Sequence, residues 1–443
     1  MIRCDNDIND INDMKKFFIS VGLIAAGTAS LQAAYAPDWN SKSASMWSVS
    51  GTLRGFYDDN YQTAPNGPNK QGSFGFEISP QLEFNVPLQQ TELGMRYIYG
   101  LYYYQKREEL GENPIDQTQQ FDLWVDHAFT ERWRARVEDV FIMGQEPELI
   151  DPNTSVTRRS DGNNIRNTGT LTLNTAWARL FSTALNYQNS FFDYENSGAT
   201  TGNLATQGAS LAGLLNRIEQ LVSLDFQWHV APETVAFFGG QFGAVNYMGD
   251  EPIALNIVGP QPFYYSDARD SRSYYGYVGV QRKMLANLSF TGKGGMQYTD
   301  NYNDNATSLN PYADLSLIYT YLPGSYAQIG FTQTQNATDQ VTPDANGRIT
   351  LSTESSTVYA SINHKLTSKL LGTVIGRWQH SVYNQGLYNN QALDYYSLGV
   401  NLSYSFNQHF SVDAGYNFDD VVSKVQGNSY TRNRIYLGVS AAY

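Results

Sequence analysis

The chain has 443 residues, a formal charge of −13, 16% charged residues and 14% aromatics, with 32 Tyr and 37 Gly. So few charges beside so much tyrosine are unlike a cytosolic enzyme of this length, and the acidic balance offers no basic footprint for nucleic acid. A single cysteine, Cys4, excludes a disulfide framework.

The first element is an address. Met14, Lys15 and Lys16 make a basic start, residues 17–26 are apolar, and small residues follow at 33–36. This is the pattern of a secretory signal peptide over 14–36, and its apolar run is too short for a spanning helix. Residues 1–13 contain DNDINDIND, which sits badly before a basic segment and reads as a non-native or extended leader. Residues 37–46 form a short N-terminal segment, and no apolar run of spanning length follows.

From residue 47 to 443 the chain alternates. Phe74, Phe76, Ile78, Pro80, Leu82, Phe84 and Val86 are interleaved with Gly75, Glu77, Ser79, Gln81, Glu83 and Asn85. Leu93, Met95, Tyr97, Tyr99, Leu101 and Tyr103 continue the pattern. A period of two over about ten residues is a strand with two unlike faces. About eighteen such segments occur, at 47–57, 74–86, 91–104, 119–130, 133–141, 168–175, 180–193, 221–230, 233–246, 272–282, 286–299, 309–321, 325–335, 356–366, 369–382, 394–406, 409–420 and 431–443. Their connections alternate in length. Ala231-Pro232, Leu322-Pro323-Gly324 and Asn407-Gln408 are tight, whereas 58–73, 142–167, 194–220, 247–271, 300–308 and 336–355 are long and polar. Short turns at one end and long loops at the other distinguish an outer-membrane barrel from a soluble sandwich. The fold class is therefore all-β: a transmembrane antiparallel up-and-down barrel of about eighteen strands, sixteen being the alternative, placed in the outer membrane of a Gram-negative cell.

Phasing the strands gives an interior. Arg54, Glu77, Arg96, Asp122, Asp126, Arg134, Arg136 and Glu138 fall on the polar face as pore-lining candidates, with Glu83, Glu92, Asp225, Lys293, Asp314 and Asp413. Opposed charges across a wet lumen set ion preference, although they also serve to hydrate it and pair with one another. Tyr102, Tyr104 and Trp124 share that parity and suggest platforms for sugar rings or rim contacts with the wall. Trp47, Tyr57, Tyr103, Trp133, Tyr187, Tyr264, Tyr265, Tyr321, Trp378 and Tyr416 lie near strand ends, as interface girdles do. In the fourth long connection, SLAGLLNRIEQL (210–221) spaces its leucines as a helix does, with Ser210 as a cap. It reads either as a lid or as an early start of the eighth strand. The five histidines (127, 229, 364, 380 and 409) are scattered without metal spacing, so neither catalysis nor a cofactor is expected.

The final strand, RNRIYLGVSAAY, puts Ile435, Leu437, Val439, Ala441 and Tyr443 on one face and stops on the aromatic. Here the chain resembles bacterial outer-membrane barrels, and over most of its length it is similar to the β-barrel porin type 2 group. The resemblance implies that Leu437, Val439 and Tyr443 belong to an assembly signal read by the barrel-assembly machinery, with Tyr in place of the usual Phe. Likeness to general porins implies that the third long loop folds into the lumen. That makes Glu146, Glu148, Asp151, Arg158, Arg159 and Asp161 constriction candidates, an exposed loop being the alternative. The expected function is a water-filled channel for ions and small hydrophilic solutes. The alternatives are a substrate-specific outlet, for example for exopolysaccharide, and a structural or adhesive barrel. Expected partners are outer-membrane lipid, the assembly machinery and small solutes or a polysaccharide, with a homotrimer left open.

Overall fold

The structure is a computed structural model that describes residues 46–144, 163–195, 209–249, 251–256, 258–425 and 427–443. The alternating sequence folds as alternating faces. The wall begins with β1 (Trp47–Asp58), β2 (Ser73–Pro87), β3 (Thr91–Tyr104), β4 (Ile115–Ala128), β5 (Trp133–Gly144), β6 (Asn164–Ala178), β7 (Phe181–Tyr194), β8 (Arg217–Ala231) and β9 (Thr234–Tyr247). A small loop hairpin of β10 (Pro252–Leu255) and β11 (Phe263–Tyr265) interrupts it. The wall resumes with β12 (Ser271–Leu285), β13 (Leu288–Asn301), β14 (Ala306–Leu322), β15 (Ser325–Asn336), β16 (Ser352–Lys365), β17 (Leu370–Asn384), β18 (Ala392–Ser405), β19 (Phe410–Ser423) and β20 (Tyr430–Ala442).

Each wall strand pairs antiparallel with its neighbours in sequence, in one 18-stranded sheet. Pairing of β1 with β20, from Ser50↔Ala442 to Asp58↔Arg434, closes it. Reciprocal backbone bonds between Val49 and Tyr443, 3.0 and 2.8 Å, finish the seam. The count is eighteen, and closure leaves neither terminal strand of the sheet as a free edge facing lipid.

Two prolines test the ladder rule. Pro80 lacks an N–H, and the β2–β3 ladder passes from Ile78↔Leu101 to Gln81↔Ile98, skipping it. Pro311 lies on the part of β14 that has no ladder partner on β15, where pairing starts at Ala313↔Gln333. Several inward rings lie flat on a glycine of the next strand: Phe56 on Gly75, Trp124 on Gly94, Tyr359 on Gly330 and Tyr436 on Gly415. A Cβ at Gly94 would stand 1.8 Å from Trp124 Cε2, so the ring's seat exists only because the residue is glycine.

The outer face carries Leu53, Ile78, Leu123, Val278, Leu437 and Val439, all exposed. In water this would be an aggregating surface; against acyl chains it is the matched solvent. Among the described residues no helix is long and apolar enough to span a membrane. Trp47, Trp133 and Tyr187 are exposed on that face. Tyr264 and Tyr265 depart from the girdle expectation, because residues 252–265 turn back as the loop hairpin, and Tyr264 packs among the outer loops.

The loops keep most of the expected parity. Outer connections L1 to L9 are 59–72, 105–114, 145–163, 195–216, 248–270, 302–305, 337–351, 385–391 and 424–429. L6 is shorter than its run of turn-forming residues suggests. Ladder pairs Asp300↔Thr307 and Asn301↔Ala306 extend the strands, and Asn305 at φ +52° closes the turn. L2 opens with helix α1 (Gln105–Leu110).

Candidate functional site: the lumen and its outer cap

A sheet of eighteen strands spaced about 4.8 Å apart and tilted about 40° closes into a cylinder roughly 35 Å across. Wall side chains alone are too short to fill that width. What lines the inside, and what covers its outer mouth, therefore decide what passes.

One arc of the wall, from β19 through β1 to β5, carries charge. Arg54 Nε donates to Asp413 Oδ2 at 2.8 Å and Nη1 to Glu77 Oε1 at 3.4 Å. It reaches Asp413 over Gly438, whose missing side chain leaves room. Arg96 holds its cross-strand partner Asp122 through Nε at 2.6 Å. Arg134 grips both oxygens of Asp126, at 2.5 and 2.6 Å. Arg136 Nε meets Glu138 on its own strand at 2.7 Å. All eight pore-lining candidates thus stand on the inner face, in opposite-charge pairs. At the outer end Arg107 of α1 bonds Asp116, and Arg432 bonds Asp58 through Nε and Nη2 at 2.9 and 2.6 Å. Pairs open to water contribute little stability.

Around the rest of the wall hydroxyls and amides take over. Thr172 donates to Asn186 at 2.9 Å, Ser182 to Gln227 at 3.0 Å, and Ser355 lies 2.8 Å from Ser381. Charge here is sparse. Asp225 accepts from Tyr277 at 2.7 Å, and Lys293 lies 5.1 and 5.2 Å from the Tyr277 and Tyr312 ring centroids. The three candidate sugar platforms are engaged by the protein itself: Tyr102 packs beside Phe56 and Tyr104 with Arg434 6.0 Å from its ring centroid. Trp124 covers Gly94, and Tyr104 is fully buried between Phe56 and Tyr61 under Arg107.

The mouth is covered by loops from separate parts of the wall. In L4, helix α2 (Leu211–Leu215) forms, with Ser210 Oγ accepting from Gly213 N at 2.9 Å. β8 then begins with Arg217, so 210–221 is a single helical turn followed by an early strand. Leu214 and Leu215 pack with Phe192, Tyr194, Ile253 and Ala254, and with Val341, Ile349 and Leu351 of L7. L7 starts six wall strands after L4, so this apolar core spans about a third of the rim. Two fully buried arginines hold it. Arg217 bonds Glu219 at 2.6 Å and lies 4.0 Å from the Phe192 ring. Arg269 donates to Thr338 O at 2.9 Å, to Gly213 O at 3.4 Å and to Leu214 O, with Tyr247 beneath at 4.2 Å. Burial lowers the basicity of Arg269 from its ordinary value, against the pull of Tyr247 and nearby acids.

The cap stands apart from the constriction expected in the third long loop, which the structure does not test. Glu146, Glu148, Asp151, Arg158, Arg159 and Asp161 lie outside the described residues. L4, L5 and L7 pack together over the mouth, and the charges of L7 did not mark it as a site. Its one visible signal was Val341, Ile349 and Leu351 set among turn residues, apolar groups that an exposed loop has no reason to carry. Nothing local marked Arg217 or Arg269. Leu437 and Val439 are 62% and 53% exposed on the outer face, and Tyr443 stacks near Trp47 and His409 at 5.8 and 6.2 Å.

None of the curated proteins matches the chain in sequence. Among solved structures it is similar to OccAB4 of Acinetobacter baumannii, with 11% identity, 91% of this chain and 100% of that chain covered, and a TM-score of 0.43. It is similar also to OpdK of Pseudomonas aeruginosa, with 9% identity, coverage of 90% and 99%, and a TM-score of 0.42. The enterobactin-bound Q482A mutant of the ferric enterobactin receptor of Pseudomonas aeruginosa gives 10% identity, coverage of 89% and 81%, and a TM-score of 0.45. A family profile, described as putative beta-barrel porin 2, matches residues 46–443. That span contains all eighteen wall strands, and the chain belongs to this porin family.

Proposed function

We propose that the protein is a passive channel of the outer membrane, through which small hydrophilic solutes and ions diffuse. The observation that carries this reading is the sorting of faces: a sheet closed on itself with leucines and valines outside and charges, hydroxyls and amides inside. The export signal read at 14–36 belongs to the proposal. Planar-bilayer recording of the purified chain tests it. Stepwise, ohmic conductance is expected; a correctly folded barrel that never conducts would sink it.

A second reading, an outlet engaged by a polysaccharide, draws support from the neutral part of the wall. Thr168, Thr170, Thr172, Asn186, Gln188 and Ser190 of β6 and β7 offer hydroxyls and amides suited to sugar hydroxyls. Conductance blocked by added oligosaccharide at millimolar concentration would favour it over free diffusion.

The charged arc yields a prediction on selectivity. Arg134→Gln with Arg136→Gln removes two cations and leaves Asp126 and Glu138 without their partners, beside Glu92. A net gain of negative lumenal charge draws cations, so the reversal potential in a salt gradient moves toward the cation limit. An unmoved reversal potential in a folded double variant removes these arginines from the conduction path.

A further inference from the structure

The wall is incomplete near one rim, and the loop beside the gap is held from across the mouth. β14 and β15 pair from Leu322↔Ser325 to Ala313↔Gln333, and there the ladder stops. Yet β14 stays on β13 as far as Asn301↔Ala306, and β15 stays on β16 as far as Asn336↔Thr353. The two strands part over their outer ends. Side-chain bonds span the gap: Ser308 Oγ and Asn310 Nδ2 reach Gln335 Oε1 at 3.4 and 3.3 Å, and the backbone N of Gln335 donates to Gln297 Oε1 of β13 at 3.3 Å. L7 continues from this freed end of β15.

On its other side L7 is tied to its neighbour L8, where Leu387 N donates to Thr342 O at 2.9 Å. Across the mouth two side chains of L5 tie it: Tyr264 Oη donates to Gly347 O near the L7 tip, and Arg269 bonds Thr338 of L7 and the carbonyls ending α2 of L4 at once. Among the described residues no carboxylate bonds this guanidinium, which is 1% exposed. Its fork satisfies carbonyls on two loops that would otherwise be buried without donors.

We propose that Arg269 positions L7 in the mouth and thereby sets the bore of the channel. The inference rests on the channel reading and goes beyond it by naming the constricting loop and the residue that holds it. Removing the guanidinium leaves the Thr338, Gly213 and Leu214 carbonyls without donors, and the loops regain hydrogen bonds most readily by turning toward water. L7 is the loop with wall support on one side alone, because the outer end of β15 is released from β14 while it stays on β16. Arg269→Lys is intermediate, since one ammonium cannot present a planar fork to carbonyls on two loops.

The test uses the full chain in planar bilayers and in liposomes swollen with neutral sugars of graded size. Folding is checked by heat-modifiable gel mobility. Arg269→Ala is expected to raise unit conductance by about twofold or more and to admit larger sugars, as widening a constriction does. Because this variant risks misassembly, a second keeps Arg269 and replaces the L7 tip, residues 342–348, with two glycines; it is expected to widen the pore likewise. A conducting parent with unchanged conductance and sugar cut-off in the folded variants overturns the positioning role while leaving the channel reading intact. A silent parent whose variants conduct supports the role, with the cap then closed at rest. Silence of the parent and of both variants overturns the channel reading and this inference together.

Discussion

Leu437→Arg, or Val439→Arg, is expected to abolish assembly of the barrel. Both side chains stand on the outer face of the closing strand, 62% and 53% exposed. Leu437 faces Ala414 and Gly55, and Val439 faces Val412 and Leu53, so no acidic group is directly opposite on either neighbour. An arginine on the lipid face costs about 2–4 kcal/mol at the bilayer midplane, a large share of a typical folding stability of about 5–15 kcal/mol. It also disrupts the strand that must dock against β1 to complete the sheet. The measurement is the fraction of protein running as a compact, heat-modifiable band after expression or refolding into lipid. Thr172→Arg, on the inner face of β6, is the control and should assemble. Normal yield of the outward variants would reverse the facing assignment for the whole sheet, because the period of two fixes all faces together.

Arg432→Ala should be the most damaging change on the inner face. Arg432 is 4% exposed and bonds Asp58, which is 0% exposed. Its Nη1 also lies 4.0 Å from Asp419, likewise buried. The pair crosses the closure seam, where β1 meets β20. Removing one member of a buried ion pair leaves the other charged and unpaired, at a cost of about 3–5 kcal/mol. Here two carboxylates lose their partner together, which places the loss toward the upper end. Urea unfolding in lipid vesicles, followed by tryptophan emission, would report a large fall in the midpoint. Asp58→Asn combined with Arg432→Met should recover part of it, since Asp58 is then neutral and Asp419 keeps the hydrogen bond from Tyr395 at 2.8 Å. If the single and double variants unfold alike, the ion pair does not hold the seam.

The barrel itself was legible in the residues because its cause is local. A strand with lipid on one side and water on the other must alternate, so Phe74 to Val86 declares both its conformation and its two solvents before any partner strand is known. Loop parity then supplied the topology, since antiparallel neighbours put alternate connections at opposite ends. Inward parity likewise placed Arg54, Glu77, Arg96 and Asp122 on one face. What parity does not contain is distance. Asp58 and Arg432 are 374 positions apart and meet only because the sheet closes. Arg54 reaches Asp413 only because Gly438 lies between them. Arg269 joins two loops 55 and 69 positions away, across the mouth. Alternation is decided by the solvent beside each residue, whereas the cap and the ion pairs are decided by which residues the closed cylinder brings face to face. Only the tertiary structure makes those meetings.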